Sequence, residues 1–116
     1  MYSCSRVPRP ASRYKAEMTV GKLDAASIAP RLAKLPGWTV REDKLHREYR
    51  FADFVEAFGF MASAALIAER MNHHPEWFNV WARVTVDLTT HDAGGITDKD
   101  FELAAAMERI AGSRTP

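Results

Sequence analysis

Apolar residues along this chain repeat with two different periods, and the periods alternate. Between Asp24 and Leu35 the spacing is helical, with Ile28, Leu32 and Leu35 on one side and Asp24 placed to cap the start. Pro30 weakens that helix from inside, and Pro36-Gly37 ends it. Trp38-Thr39-Val40 then starts a strand. Leu45–Phe51 is a second, with Leu45, Tyr49 and Phe51 at period two. The polar run Arg41-Glu42-Asp43-Lys44 joins the two as a hairpin. From Asp53, another capping residue, the helical period returns and lasts to about Asn72. Phe54, Phe58, Met61, Ala65 and Ala68 form the predicted core stripe, widened by Val55, Ala62 and Leu66. A stripe that broad predicts a helix lying across a sheet. Pro75 disfavours helical geometry at His74 and predicts the stop there.

The strand zone Phe78–Thr90 follows. Val80, Ala82, Val84, Val86 and Leu88 alternate with Trp81, Arg83, Thr85, Asp87 and Thr89. The zone is long enough for a hairpin, yet no Asn-Gly or Asp-Gly marks a turn, so the pattern leaves one strand or two open. Asp92-Ala93-Gly94-Gly95 is a loop. Thr97 starts the last helix, with Asp100 three residues on as a weak form of the capping box. Leu103, Ala104, Met107, Ile110 and Ala111 make its apolar side. Strands, helix, strands, helix predicts an α+β fold of two layers, with helices packed on one face of an antiparallel sheet.

The 116 residues suit one core, and 47% hydrophobic with 27% charged residues is an ordinary globular balance. A formal charge of +1 gives no general case for nucleic acid or an anionic membrane. No apolar run approaches the roughly 20 residues that cross a bilayer. A single cysteine, Cys4, excludes an internal disulfide framework and a cysteine metal cluster, and favours a reducing compartment such as the cytoplasm. Residues 1–20 carry Arg6, Arg9, Arg13 and Lys15 against Glu17, with Pro8 and Pro10. They read as a disordered basic tail, or as an over-extended start with Met18 the initiator, leaving residues 21–116 as the domain.

Candidate chemistry gathers at two element ends. His73 and His74 follow the long helix, and His91 follows the strand zone. Glu69 lies four residues before His73, on the same helical face. Trp77 comes just after, and Asp100 opens the last helix. Singly, each is ordinary: a surface histidine, a solvated Glu-His contact, a carboxylate at a helix start. Three histidines and a carboxylate are adequate zinc ligands. Neighbouring residues on an extended chain point apart, however, and neither HExxH nor CxxC occurs, so no metal is expected. The sole thiol lies in the tail, and there is no G-x-S-x-G, G-x-G-x-x-G or P-loop pattern. Acid–base chemistry by histidine on a flat, neutral ligand is what remains, with Trp77 or Trp81 offering surface for a ring.

The run Glu69-Arg70-Met71-Asn72-His73-His74-Pro75-Glu76-Trp77-Phe78-Asn79-Val80, continued by Trp81, His91 and Asp100, resembles the signature of the pterin-4a-carbinolamine dehydratases. These are also known as dimerisation cofactors of a homeodomain transcription factor. Ala57-Phe58-Gly59-Phe60-Met61 and Leu35-Pro36-Gly37-Trp38 are similar to the family as well. The resemblance spans about Leu23 to Ala111. It implies a four-stranded antiparallel sheet crossed by the long helix, assembled as homodimers or homotetramers. It implies dehydration of 4a-hydroxytetrahydropterin to quinonoid dihydropterin without a cofactor, in an aromatic amino-acid hydroxylase system. His73, His74 and His91 match the catalytic histidines, Glu69 and Asp100 acidic residues of the pocket, and Trp77 its aromatic wall. The competing reading is a non-catalytic dimerisation or assembly partner of another protein. The complete histidine set favours the enzyme, because a pure binder has no need of all three.

Overall fold

The structure is a computed structural model and describes residues 21–112. The expectations for residues 1–20, Cys4 included, lie outside the described residues. Helix α1 covers Ala25–Leu32, with the Asp24 carboxylate accepting from Ser27 N at 2.9 Å. It ends three residues earlier than the apolar spacing predicts. Pro30 removes one ladder donor, and the chain tightens into a turn in which Leu35 N reaches Leu32 O. At Gly37 φ is +95°, and a Cβ there would collide with the Arg47 guanidinium.

Strands β1 (Thr39–Arg41) and β2 (Lys44–Arg50) form the expected hairpin. Glu42 and Asp43 both take positive φ, 53° and 63°, as a type I′ turn requires. Helix α2 (Phe54–Met71) starts on Asp53, whose carboxylate accepts from Glu56 N. The strand zone is two strands, β3 (Glu76–Val80) and β4 (Arg83–Leu88). Trp81, at φ 52°, turns between them without glycine. The Asn79 side-chain amide donates to Trp81 O and Arg83 O and braces the turn. Helix α3 (Asp98–Gly112) closes the chain.

The sheet order is β1-β2-β4-β3, all antiparallel. The helices cover one face, as the pattern predicts. Leu45, Tyr49, Val84, Val86 and Leu88 meet Ala57, Phe60, Leu103 and Met107 in the core. Two expectations about faces are corrected. Val80 stands opposite Arg83 across the turn, so it shares the outer face with Arg83 and is exposed. In α2 the buried residues are Ala57, Phe60, Ala64 and Ala68, whereas Phe54, Val55, Phe58 and Leu66 point outward. That helix is apolar on nearly every side, so its period cannot choose a face. Alanines on the inner side let the backbone come close to the layer beneath it.

The far end of the core is pinned by one carboxylate. Glu108 of α3 accepts from Trp38 Nε1 at 2.8 Å and from the Tyr49 hydroxyl, with Arg47 Nε at 3.5 Å. Among the described residues no helix is long and apolar enough to cross a membrane.

Candidate active site

The site begins where α2 stops. Asn72 takes a left-handed φ of 53°, and His73 N bonds back to Ala68 O at 3.0 Å. This is a Schellman closure, and it ends the helix ahead of Pro75. The chain reverses within it, so the two imidazoles part. His73 turns inward and is buried, whereas the His74 ring stays half in solvent.

His73 Nε2 lies 2.6 Å from Asp100 Oδ1, and Asp100 is wholly buried. The other carboxylate oxygen accepts from Thr90 Oγ1 at 2.8 Å and from Thr97 N at 2.9 Å. The two threonine hydroxyls are 2.7 Å apart, and Lys99 N lies 3.2 Å from Thr97 Oγ1. Counting protons orients this network. A backbone N–H only donates and a carboxylate only accepts, so Thr97 donates to Thr90 and Thr90 donates to Asp100. Oδ1 then accepts from His73 Nε2–H. In the neutral form of the ring that tautomer leaves Nδ1 as the acceptor.

Glu69 does not pair with His73, as one helical turn of spacing suggests. Its Oε1 meets His74 Nε2 at 2.8 Å instead. The left-handed residue at Asn72 breaks the helical parity on which the expectation rested.

His91 opens a 3-10 turn, His91–Ala93, just after β4. The turn is closed by a bridge between Thr90 and Gly95 and by Gly94 N donating to Thr90 O, with Gly94 at φ 76°. The ring is 80% exposed, and its Nε2 lies 3.2 Å from Glu76 Oε2. Oε1 of Glu76 binds Lys44 Nζ at 2.6 Å. The lysine hydrogen bond holds the Glu76 carboxyl below the usual carboxylate range, against a smaller opposing effect of burial.

His73, His74 and His91 line one cavity of about 540 Å³, with Pro75, Glu76 and Thr90 among its other walls. Glu69 and Asp100 stand behind histidines rather than in the lining. Trp77 faces the sheet's inner side and packs on the core, outside the cavity lining. Trp81 is exposed at the other end of β3. Among the described residues no three histidine, cysteine or carboxylate side chains gather where they could hold a metal ion. Sequence reasoning did not single out Glu76, Lys44 or Thr90 for the site. Glu76 could have been found as the acidic neighbour of the histidine pair. Lys44 and Thr90 carry no local signal.

Comparison with known proteins adds to this geometry. Residues 21–110 match the family described as Pterin 4 alpha carbinolamine dehydratase. The chain is 63% identical over 90 residues to a protein of Solibacter usitatus named provisionally as a pterin-4-alpha-carbinolamine dehydratase. That match covers 78% of this chain and 95% of the relative. A relative from Rhizobium rhizogenes, provisionally given the same name, is 57% identical over 99 residues, covering 84% of this chain and 98% of its own. A crystal structure described as a transcriptional coactivator/pterin dehydratase from Brucella melitensis superposes with a TM-score of 0.78 at 44% identity. It matches 79% of this chain and 100% of its own.

Proposed function

The chain belongs to the pterin 4 alpha carbinolamine dehydratase family, and on that premise we propose how its residues remove water from a 4a-hydroxytetrahydropterin. The products are a quinonoid dihydropterin and water. The elimination takes one proton from ring N5 and gives one to the departing 4a-hydroxyl. Imidazoles exchange protons near neutral pH and suit both steps, each worth about 10²–10⁴-fold. His73 is the base: with Nε2–H committed to Asp100, Nδ1 accepts the N5 proton and the buried carboxylate stabilises the imidazolium. His91 is the acid, beside the ionised Glu76. His74, held by Glu69, positions the pterin. Trp77, next to Glu76 on β3, packs that strand onto the core.

The observation that carries this reading is a single cavity shared by three histidines, each with its own carboxylate. It is tested by following the decay of synthetic 4a-hydroxytetrahydropterin. His73→Ala and His91→Ala should each slow turnover at least about 100-fold. Near-normal rates in both would overturn the assignment. The reaction so assigned recycles the cofactor of aromatic amino-acid hydroxylases. A lone thiol fits a reducing compartment, and we place the protein in the cytoplasm.

We also infer assembly into homodimers or homotetramers. Phe54, Val55, Phe58 and Leu66 on the outer side of α2 are 46%, 73%, 55% and 74% exposed. Apolar surface gathered in this way marks an interaction face. The same face would serve a protein partner in the assembly reading. Light scattering should give a mass above one chain, lowered by Leu66→Asp. A wild-type monomer at all concentrations overturns this.

A further inference from the structure

We propose that Glu76 is a positioning residue for His91 and that Lys44, two strands away, sets how strongly it acts. The inference rests on the reading of His91 as the proton donor. Glu76 opens the edge strand β3 and Lys44 opens β2, with β4 between them in the sheet. Two strand spacings are about 10 Å, which a lysine and a glutamate span together across the outer face. The carboxylate is thus shared, Oε1 with Lys44 at 2.6 Å and Oε2 with His91 at 3.2 Å.

The two catalytic histidines therefore sit beside carboxylates of different kinds. Apart from His73, Asp100 takes only neutral donors, two threonine-derived contacts inside the core. Glu76 carries a full cation on its other oxygen. Its negative charge favours a charged imidazole at His91, and Lys44 offsets part of that effect. The pair stays ionised through neutral pH. The Glu76 hydrogen bond holds Lys44 above the usual lysine value, with Asp87 and Glu42 adding to it. Around His91 the cavity also holds His73, His74, Asp92, Lys22 and Lys99. Among the described residues Glu76 is the carboxylate within ion-pair distance of the His91 ring.

The test is a pair of substitutions with opposite signs. Glu76→Gln removes the negative charge and leaves the lysine, so the alkaline limb of the kcat–pH profile should move to lower pH. Lys44→Met keeps the apolar stem and removes the opposing cation, so the same limb should move to higher pH. Each shift should be about half a pH unit, the size an exposed ion pair supports. Lys44→Arg should restore the wild-type profile. A purely structural role would move both variants the same way, or change KM alone, and either result overturns the proposal. NMR titration of the His91 ring in the substrate-free protein should show the same opposite shifts. That readout does not need turnover, so it separates the two readings. If wild-type protein and His91→Ala turn over alike, the donor assignment fails whatever the NMR shows. If His91→Ala is inactive but the NMR midpoints stay put, the donor assignment stands and the Glu76–Lys44 proposal fails.

Discussion

A buried carboxylate has to be provided with donors, and Asp100 is: two side-chain groups and one backbone N–H reach it without solvent. Such a group is sensitive to the loss of any one donor. Thr90→Val keeps the shape of the side chain and removes the hydroxyl that donates to Oδ2. It also takes away the acceptor of the Thr97 proton. The expected cost is about 1–3 kcal/mol, read as a lowered Tm, with kcat falling more than KM changes. Thr90→Ser should recover most of both. A Thr90→Val protein as stable and active as wild type would remove the network from the account. The members of this site were largely legible in the sequence, because His73, His74, His91 and Asp100 stand out as residue types at element ends. Their pairing was not. It depends on one left-handed residue, Asn72, and helical parity carried past that point assigns Glu69 to the wrong imidazole.

At the scale of elements, the same division separates what a pattern encodes from what it leaves open. Period identified α1, α2, α3 and β2 nearly to their ends. It could not show the turn at Trp81, where neither glycine nor asparagine takes the positive φ. Nor could it orient α2, whose large apolar residues lie on the outer side. The inner side can be tested against the outer. Phe60→Ala should cost about 3–5 kcal/mol in chemical denaturation, because Phe60 is fully buried between Tyr49 and Phe51. Phe58→Ala should cost under about 1 kcal/mol at dilutions that separate copies of the chain. Equal costs at high dilution would place both faces in the core. The β1–β2 turn offers a gain. Asp43 holds φ at 63°, where glycine meets no steric penalty. Asp43→Gly should raise stability by about 0.5 kcal/mol, or about 2–4 °C in Tm for a domain of this size. The exposed Lys22–Asp43 pair it removes is worth little.

For the molecule as a whole, α3 acts as a staple with a carboxylate near each end. Asp100 ties its start to His73, and Glu108, about 12 Å along the helix, ties its later turns to β2 and Trp38. The first tie orients His73 at the cavity, and the second joins α3 to the sheet layer. The second tie predicts an alkaline weakness. Burial, reinforced by the hydrogen bond to Glu108, pushes the Tyr49 phenol well above its ordinary value of 10.0. A group whose folded value is raised keeps its proton in the native state while the unfolded chain loses it. Its contribution is therefore intact below pH 10 and declines as pH rises beyond that point. The slope is about 1.4 kcal/mol per pH unit for one proton. Other groups also titrate there, so the informative quantity is the difference between wild type and Tyr49→Phe. At pH 8 the variant should be less stable by about 1 kcal/mol, the net worth of the lost hydrogen bond. Between pH 10 and about 11 that gap should close and then reverse, because phenylalanine has no proton to lose. Urea denaturation at each pH measures it. A gap that stays constant across that window would mean that Tyr49 ionises in the folded protein as readily as in the unfolded chain, and that Glu108 does not hold the two layers through it.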